Sequence, residues 1–311
     1  MNMVVFTTLA ENDYFLGVAA LVNSMIKHGT YGNKIVVGYR GDLPDWLPAL
    51  SPSKNGQSFF LKGNFEVELV MVVGDLHMVH EKPKWFRYLT EVLEPEADEY
   101  FFFDSDIIII NRMSFYGEWV KEGVALCEDV NYDMGLTHPI RKQWLRLCEQ
   151  NNKPVTNQLS RYFNSGFLGW SRETAAFVVE WDECCQIMAK LAGDMTKFRV
   201  SDRTKTVLSA NQDSLNMAAM TTISPISVIG PAAMGFHYGI KLMQHPLGPK
   251  PWKKKFGKEF FMGHPPRAAD VSFWEALLDG ELKPFSDGKV KSRIRMVKLY
   301  KFLSKFYGNN N

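Results

Sequence analysis

The residues best placed to do chemistry are Asp104 and Asp106, separated by Ser105 and set between the apolar runs Tyr100-Phe-Phe-Phe103 and Ile107-Ile-Ile-Ile110. In extended chain, positions i and i+2 point the same way, so the two carboxylates would converge on one cation with the small Ser105 between them. Burying two unpaired carboxylates among Phe and Ile is costly, and a hard divalent ion with oxygen ligands is the natural compensation. The plainer alternative is a pair of acids on a solvated strand end. Three further segments hold polar groups in unusual company. Asn164 and Ser165 lie between aromatic residues and Gly166; Asn211-Gln212-Asp213-Ser214-Leu215-Asn216 is a polar run with Leu215 and Met217 spaced for a core; and His245 leads through Gly248 to Lys250-Pro251-Trp252.

The elements that would position these groups alternate along the chain. Met3–Thr8 is rich in strand formers, Phe15–His28 has helical apolar spacing and ends at Gly29, and Lys34–Tyr39 is a second short strand. This βαβ rhythm predicts an α/β fold with a parallel sheet flanked by helices. Residues 40–64 read as a surface loop, 66–73 as a strand and 83–93 as a helix. The apolar run from Tyr100 to Ile110 reads as strand buried on both faces, with the two acids as its interruption. A helix from Ser114, a strand near Val124, a helix from Pro139, the segment Arg161–Trp170 and a long amphipathic helix over 172–191 follow. At the carboxyl end of a parallel strand, Asp104 would sit where open α/β sheets bind ligands.

With 46% apolar, 23% charged and 13% aromatic residues over 311 positions, the chain is globular and not disordered. Its net charge of +2 conceals a gradient. Seven of the 36 basic residues and none of the acids fall in 289–311, leaving the first 288 positions with 29 basic against 34 acidic side chains. Cys127, Cys148, Cys184 and Cys185 match no metal spacing and read as buried reduced thiols, which favours a cytoplasmic protein. The first residues lack the basic segment of a secretory signal, and no run is long enough to span a membrane. Lys289 to Tyr307 reads as a basic amphipathic helix whose stripe from Ile294, Met296 and Val297 to Phe302 and Phe306 lies either on an anionic bilayer or on its own domain. Nucleic acid is not expected, because the body is net acidic and no recognition motif is present.

Taken in order, these segments resemble the retaining glycosyltransferases of the GT-A fold, in particular glycosyltransferase family 8, which includes bacterial lipopolysaccharide galactosyltransferases and glycogenin. The resemblance covers roughly residues 1–255, with 256–311 as a C-terminal extension bearing the basic tail. It implies a Rossmann-like, mostly parallel sheet. It also implies that Thr8, Ala10, Asn12 and Tyr14 form a nucleotide-binding turn, Tyr14 stacking on the base. Arg87, 17 residues before Asp104, would face the donor, with Ser105, Asn164, Ser165 and Gln212 around the sugar and Gly166 permitting close approach. Asp104, Asp106 and His245 would hold Mn2+ or Mg2+, and Gly248 and Lys250 would meet the diphosphate. Catalysis would involve Gln212 and Arg87, with Asp213 as a base should the reaction invert.

The family stretch Asp-Gln-Asp-x-Leu-Asn begins here with Asn211, and the His-to-Lys spacing is one residue short. His237, in Phe-His-Tyr-Gly-Ile-Lys241, competes with His245, but only His245 leads into Lys-Pro-Trp. A haloacid-dehalogenase-like phosphotransferase also opens on Asp-x-Asp after a strand, yet Ile107–Ile110 follows here in place of a phosphate loop. The expected activity is transfer of a sugar from a UDP-sugar to a hydroxyl on a glycan or glycolipid with retention, by a cytoplasmic protein that is peripheral on the inner face of a membrane. Self-glycosylation at Tyr300 or Tyr307 is a subtype. The alternative is a catalytically weak GT-A-like binding subunit at the membrane.

Overall fold

The computed structural model describes residues 2–29, 31–130, 133–198 and 210–306. In chain order the strands are β1 (Val4–Glu11), β2 (Lys34–Arg40), β3 (Ser51–Pro52), β4 (Gln57–Leu61), β5 (Phe65–Met71), β6 (Glu99–Phe103), β7 (Ile108–Ile109), β8 (Val124–Glu128), β9 (Phe163–Ser171), β10 (Ile226–Ile229) and β11 (Met243–Gln244). The helices are α1 (Phe15–Lys27), α2 (Met78–Tyr88), α3 (Ser114–Val120), α4 (Pro139–Gln150), α5 (Ala176–Ala192), α6 (Ala210–Thr221), α7 (Phe256–Phe261), α8 (Ala268–Asp279) and α9 (Asp287–Leu303).

Nine strands form one sheet in the order β10-β8-β9-β6-β1-β2-β5-β4-β3, in which β4 and β9 run against the rest. The sheet is mostly parallel and covered on both faces, which is why its strands read as continuous apolar runs. Strand alternation in β6 divides its aromatics: Phe101 and Phe103 enter a core under α1, α3 and α8, while Tyr100 and Phe102 enter the core under α2, α5 and α6. Helices α8 and α9 share the first of these cores through Phe273, Trp274, Val290 and Val297. Asn23 of α1 also bonds both backbone groups of Leu282, each at 3.0 Å.

Several elements depart from the sequence expectations. Residues 40–64 are not loop throughout: Ser51–Pro52 and Gln57–Leu61 add two antiparallel strands at the sheet edge, where Phe59 and Leu61 are buried and Phe60 is exposed. The helix expected over 83–93 starts earlier, because His77 caps it by accepting from the Val79 N–H at 3.3 Å; Pro83 lies inside, and 89–93 is a wider turn. The run from Tyr100 to Ile110 is two strands. After β6 the chain turns, the Ile107 N–H closing on the Asp104 carbonyl at 2.9 Å, and β7 joins a separate two-stranded sheet with β11. The long helix of 172–191 is preceded by a short 3-10 turn at Arg172–Thr174 and begins at Ala176.

The basic tail is helical, and its apolar stripe is divided. Val290 and Val297 are buried on the protein, with Ile294 and Met296 partly covered, while Leu299, Phe302 and Phe306 are exposed. Tyr307 lies outside the described residues. No helix among the described residues is long and apolar enough to cross a membrane. The four cysteines are buried and unpaired with one another.

Candidate functional site

Four chain segments meet at one edge of the sheet. Asp104 follows the carboxyl end of β6, Asp129 follows that of β8, and the parallel β1 ends there at Glu11. Strand β9 runs the other way, so its first residues, Asn164 and Ser165, reach the same edge. A bulge between Ala125 and Cys127 shifts the β8–β9 register just before this point, a common device for re-aiming side chains beside a site.

The turn at Asp104–Ile107, and not strand alternation, brings the two carboxylates together. His245, placed after β11, completes the group. One donor atom from each of Asp104, Asp106 and His245 lies within 4.8 Å of the other two. His245 Nε2 is 3.8 Å from Asp104 Oδ2 and 3.6 Å from Asp106 Oδ1. Gly166 permits this approach. A Cβ there would stand 2.7 Å from His245 Cε1, 2.9 Å from Asn164 Oδ1 and 3.1 Å from Asp104 Oδ2. On the other side, a Cβ on Gly17 of α1 would meet the Ser105 carbonyl at 2.4 Å, so the turn is seated directly on that helix.

Charge balance at this corner comes from two lysines. Lys250 Nζ is 2.5 Å from Asp106 Oδ2, and Lys82 Nζ is 2.6 Å from Asp104 Oδ1 and 3.0 Å from the Ser165 carbonyl. Burial alone would raise the Asp106 carboxyl, but Lys250 and His245 outweigh it and hold the group below its ordinary value. The same pairing raises Lys250 against the opposite pull of burial. Burial lowers His245 below its ordinary value despite the opposing pull of both acids, and an unprotonated imidazole nitrogen is the form that ligates a cation. Two carboxylate oxygens and one imidazole nitrogen suit Mn2+, and also Mg2+ when phosphate oxygens complete its shell.

Asp104 and Asp106 line a cleft of about 310 Å3 together with Leu9, Glu11, Tyr14, His77, Lys82, Ser105 and Lys250 among others, and His245 stands behind the two acids. Tyr14 stands under the Lys250 and Lys253 ammonium groups, 5.9 and 5.4 Å from its ring centroid, and meets Trp252 edge-on at 5.7 Å. Asp13 fixes this arrangement, accepting from Trp252 Nε1 at 3.0 Å and pairing with Lys253 at 2.9 Å. Thr8 and Ala10 are buried in β1, and the Thr8 hydroxyl has no hydrogen-bond partner among the described residues. Asn12 is exposed and adopts a left-handed conformation at φ 51°. Gly248, at φ 77°, allows the turn that returns Lys250 to the cleft.

A seam of hydrogen bonds between β9 and α6 continues from the corner formed by Asp104, Asp106 and His245. Asn164 donates to Asp129 at 2.6 Å and accepts from the Gly166 N–H at 2.8 Å. Gln212 accepts from the Ser165 N–H at 3.1 Å and donates to Asp129 at 3.2 Å, while Asn211 donates to Ser165 Oγ at 3.0 Å. Asp213 is fully buried and accepts from the Tyr162 hydroxyl at 2.5 Å, and Asn216 clamps both backbone groups of Phe163.

Arg87 is not part of this assembly. It is half-exposed, pairs with Glu91 at 2.9 Å and stands 3.6 Å from Asp182, because α2 turns that face away from the cleft. Lys82, five residues earlier on the same helix, supplies the cation at Asp104. His237 is likewise exposed and apart from the acids. Sequence reading missed Lys82 and Asp129. Asp129 had a signal, the acidic pair Glu128-Asp129 closing the apolar run Val124–Cys127, much as Asp104 follows β6; Lys82 had none, since one lysine on a helix is ordinary.

A mostly parallel sheet with helices on both faces, carrying a paired-aspartate turn and a histidine at the carboxyl ends of its strands, is a Rossmann-like α/β fold. Among solved structures it is similar to that of WbbM, a bifunctional glycosyltransferase in its apo state, with a TM-score of 0.56 and 14% identity over 94% of this chain. This chain spans only about half of that one, 52% of its length. No family model matches the sequence, and no curated protein matches it in sequence.

Proposed function

We propose that this protein is a metal-dependent glycosyltransferase that transfers a hexose or similar sugar from a UDP-sugar to a hydroxyl of a glycan or glycolipid, with retention of configuration. The observation that carries this reading is the convergence of Asp104, Asp106 and His245, with both acids opening onto a cleft that Lys250 and Tyr14 also line. The glycosyltransferase fold supports it. The motif order shared with family 8 is the ground for UDP and for retention.

The two aspartates and His245 would hold Mn2+ or Mg2+, which when bound stabilises negative charge on the leaving diphosphate. Lys250 lies at the same corner and would pair with a phosphate oxygen. Tyr14 offers an aromatic face to the base, and the backbone of Thr8, Ala10 and Asn12 lies beside it at the end of β1. On the β9–α6 seam, Ser165, Asn164 and Gln212 would orient the sugar hydroxyls. Asp129, held by Asn164 and Gln212, is the carboxylate this seam presents at the sheet edge. Asp213 supports Tyr162 and serves the fold before the chemistry.

In this reading residues 1–255 form the catalytic part, and the tail is the route to a lipid-borne acceptor. Leu299, Phe302 and Phe306 are exposed among Lys298, Lys301 and Lys305, with exposed Phe261 and Met262 at the end of the adjoining α7. Such a face suits peripheral attachment to an anionic bilayer, through apolar insertion and charge attraction together.

Release of UDP from a panel of UDP-sugars, with Mn2+, with EDTA and with Asp106→Asn, tests the proposal. Metal-dependent release that falls by about a hundredfold or more in the variant is expected, because a direct ligand is lost. Absence of both release and metal-dependent UDP binding would overturn it. Product configuration by NMR decides retention.

A further inference from the structure

The two lysines at the metal corner are held in different ways. Lys82 is buried between Asp104 Oδ1, the Ser165 carbonyl and the Phe102 ring, whose centroid lies 4.9 Å from Nζ. These partners belong to β6, β9 and the turn between β6 and β7, so Lys82 is held from three sides. Lys250 sits on the 248–252 turn, its side chain 23% exposed over the cleft, with Asp106 Oδ2 as its hydrogen-bond acceptor.

Each carboxylate therefore gives one oxygen to an ammonium group and turns the other towards His245 Nε2. Two negative and two positive charges cancel at the place where a cation would bind. A divalent ion arriving alone gains little from carboxylates whose field is already matched, and it meets Lys250 at close range. An ion arriving with a diphosphate meets a different balance, because the phosphate oxygens offer Lys250 another partner.

We infer that Lys250 is an exchangeable counter-ion, resting on Asp106 and passing to the diphosphate when metal and nucleotide enter together, while Lys82 remains the fixed positioning partner of Asp104. This inference rests on the glycosyltransferase reading and deepens it. Metal and nucleoside diphosphate then bind as a pair, each raising the affinity for the other by the same factor. The consequence for Lys250→Ala runs against the usual effect of removing a site residue: bare Mn2+ binds more tightly, and UDP binds less tightly.

The experiment is a Mn2+ titration of the full chain, followed by calorimetry and by the EPR signal of free Mn2+, with and without UDP. In the unaltered protein, UDP should strengthen Mn2+ binding. In Lys250→Ala, Mn2+ binding without UDP should strengthen by about tenfold or more, the scale on which one adjacent charge shifts carboxylate affinity, and the gain from UDP should shrink. Lys250→Arg, which keeps the charge, should retain weak binding of bare Mn2+. If Lys250→Ala binds bare Mn2+ no more tightly while the unaltered protein still shows the UDP effect, the exchange is wrong and the glycosyltransferase reading stands. If the unaltered protein binds no UDP with or without Mn2+, that reading falls and the exchange with it.

Discussion

At the corner formed by Asp104, Asp106 and His245, formal or potential charges from these groups and from Lys82 and Lys250 confront one another at close range. Along the adjoining β9–α6 seam, Asn164, Ser165, Asn211, Gln212 and Asn216 are tied by hydrogen bonds to Asp129 and to the strand backbone. The corner is built to change partners and the seam to hold its shape. A reaction that releases a charged diphosphate needs the first property on the leaving-group side and the second around the sugar, where small displacements are costly.

The sharpest way to break this contrast is Gly166→Ala, because Gly166 belongs to both regions. The added methyl would press on His245, Asn164 and Asp104 at once. Loss of measurable Mn2+ binding is expected, with destabilisation of about 1–3 kcal/mol from overpacking, read by metal titration and thermal melting. Unchanged Mn2+ binding would show that the corner tolerates rearrangement that its contacts forbid.

Tyr162→Phe probes the seam alone. It removes the short bond to buried Asp213, and the expected cost is about 1.5–3 kcal/mol of stability, as for hydrogen bonds to charged groups. Mn2+ affinity should be unaltered. A denaturant series that shows no loss, or a metal titration that shows one, would mean the two regions are not separable in the way their contacts indicate.

The smallest effect is expected for Arg87→Ala, which lies outside both regions. UDP affinity should change by about twofold or less, since the guanidinium pairs with Glu91 and Asp182 on the face of α2 turned from the cleft. A large loss of donor affinity by calorimetry would bring Arg87 into the cleft in the loaded protein and restore the role its position in the sequence suggested.

The layout was legible wherever one physical pattern dominated. Strand β6 was visible because it is buried on both faces, and the turn that follows it because two acids interrupt apolar chain. The reason given for the convergence of those acids was incomplete. Alternation within a strand and a tight turn both bring i and i+2 together, and sequence does not separate them. Lys82 was illegible because its importance comes from α2 packing against β6 and β9, a tertiary fact with no local signature. Arg87 shows the reverse, since a position matched by spacing was turned away by a helix that begins earlier than Pro83 suggested. In the tail, periodicity gave the helix but not its orientation, and only the contacts show that Val290 and Val297 face the protein while Phe302 and Phe306 do not.

The pairing of Asn23 with the backbone of Leu282 bears on the birth of the molecule. Asn23 belongs to the first helix, yet the groups that satisfy its buried amide are made more than 250 residues later. During synthesis the face of α1 destined for α8 and α9 must wait, apolar and with a polar group unanswered, until the segment around Leu282 has left the ribosome. The order of manufacture and the order of assembly are thus opposed in this fold, and the C-terminal helices act as the closing piece of a core begun at the N-terminus.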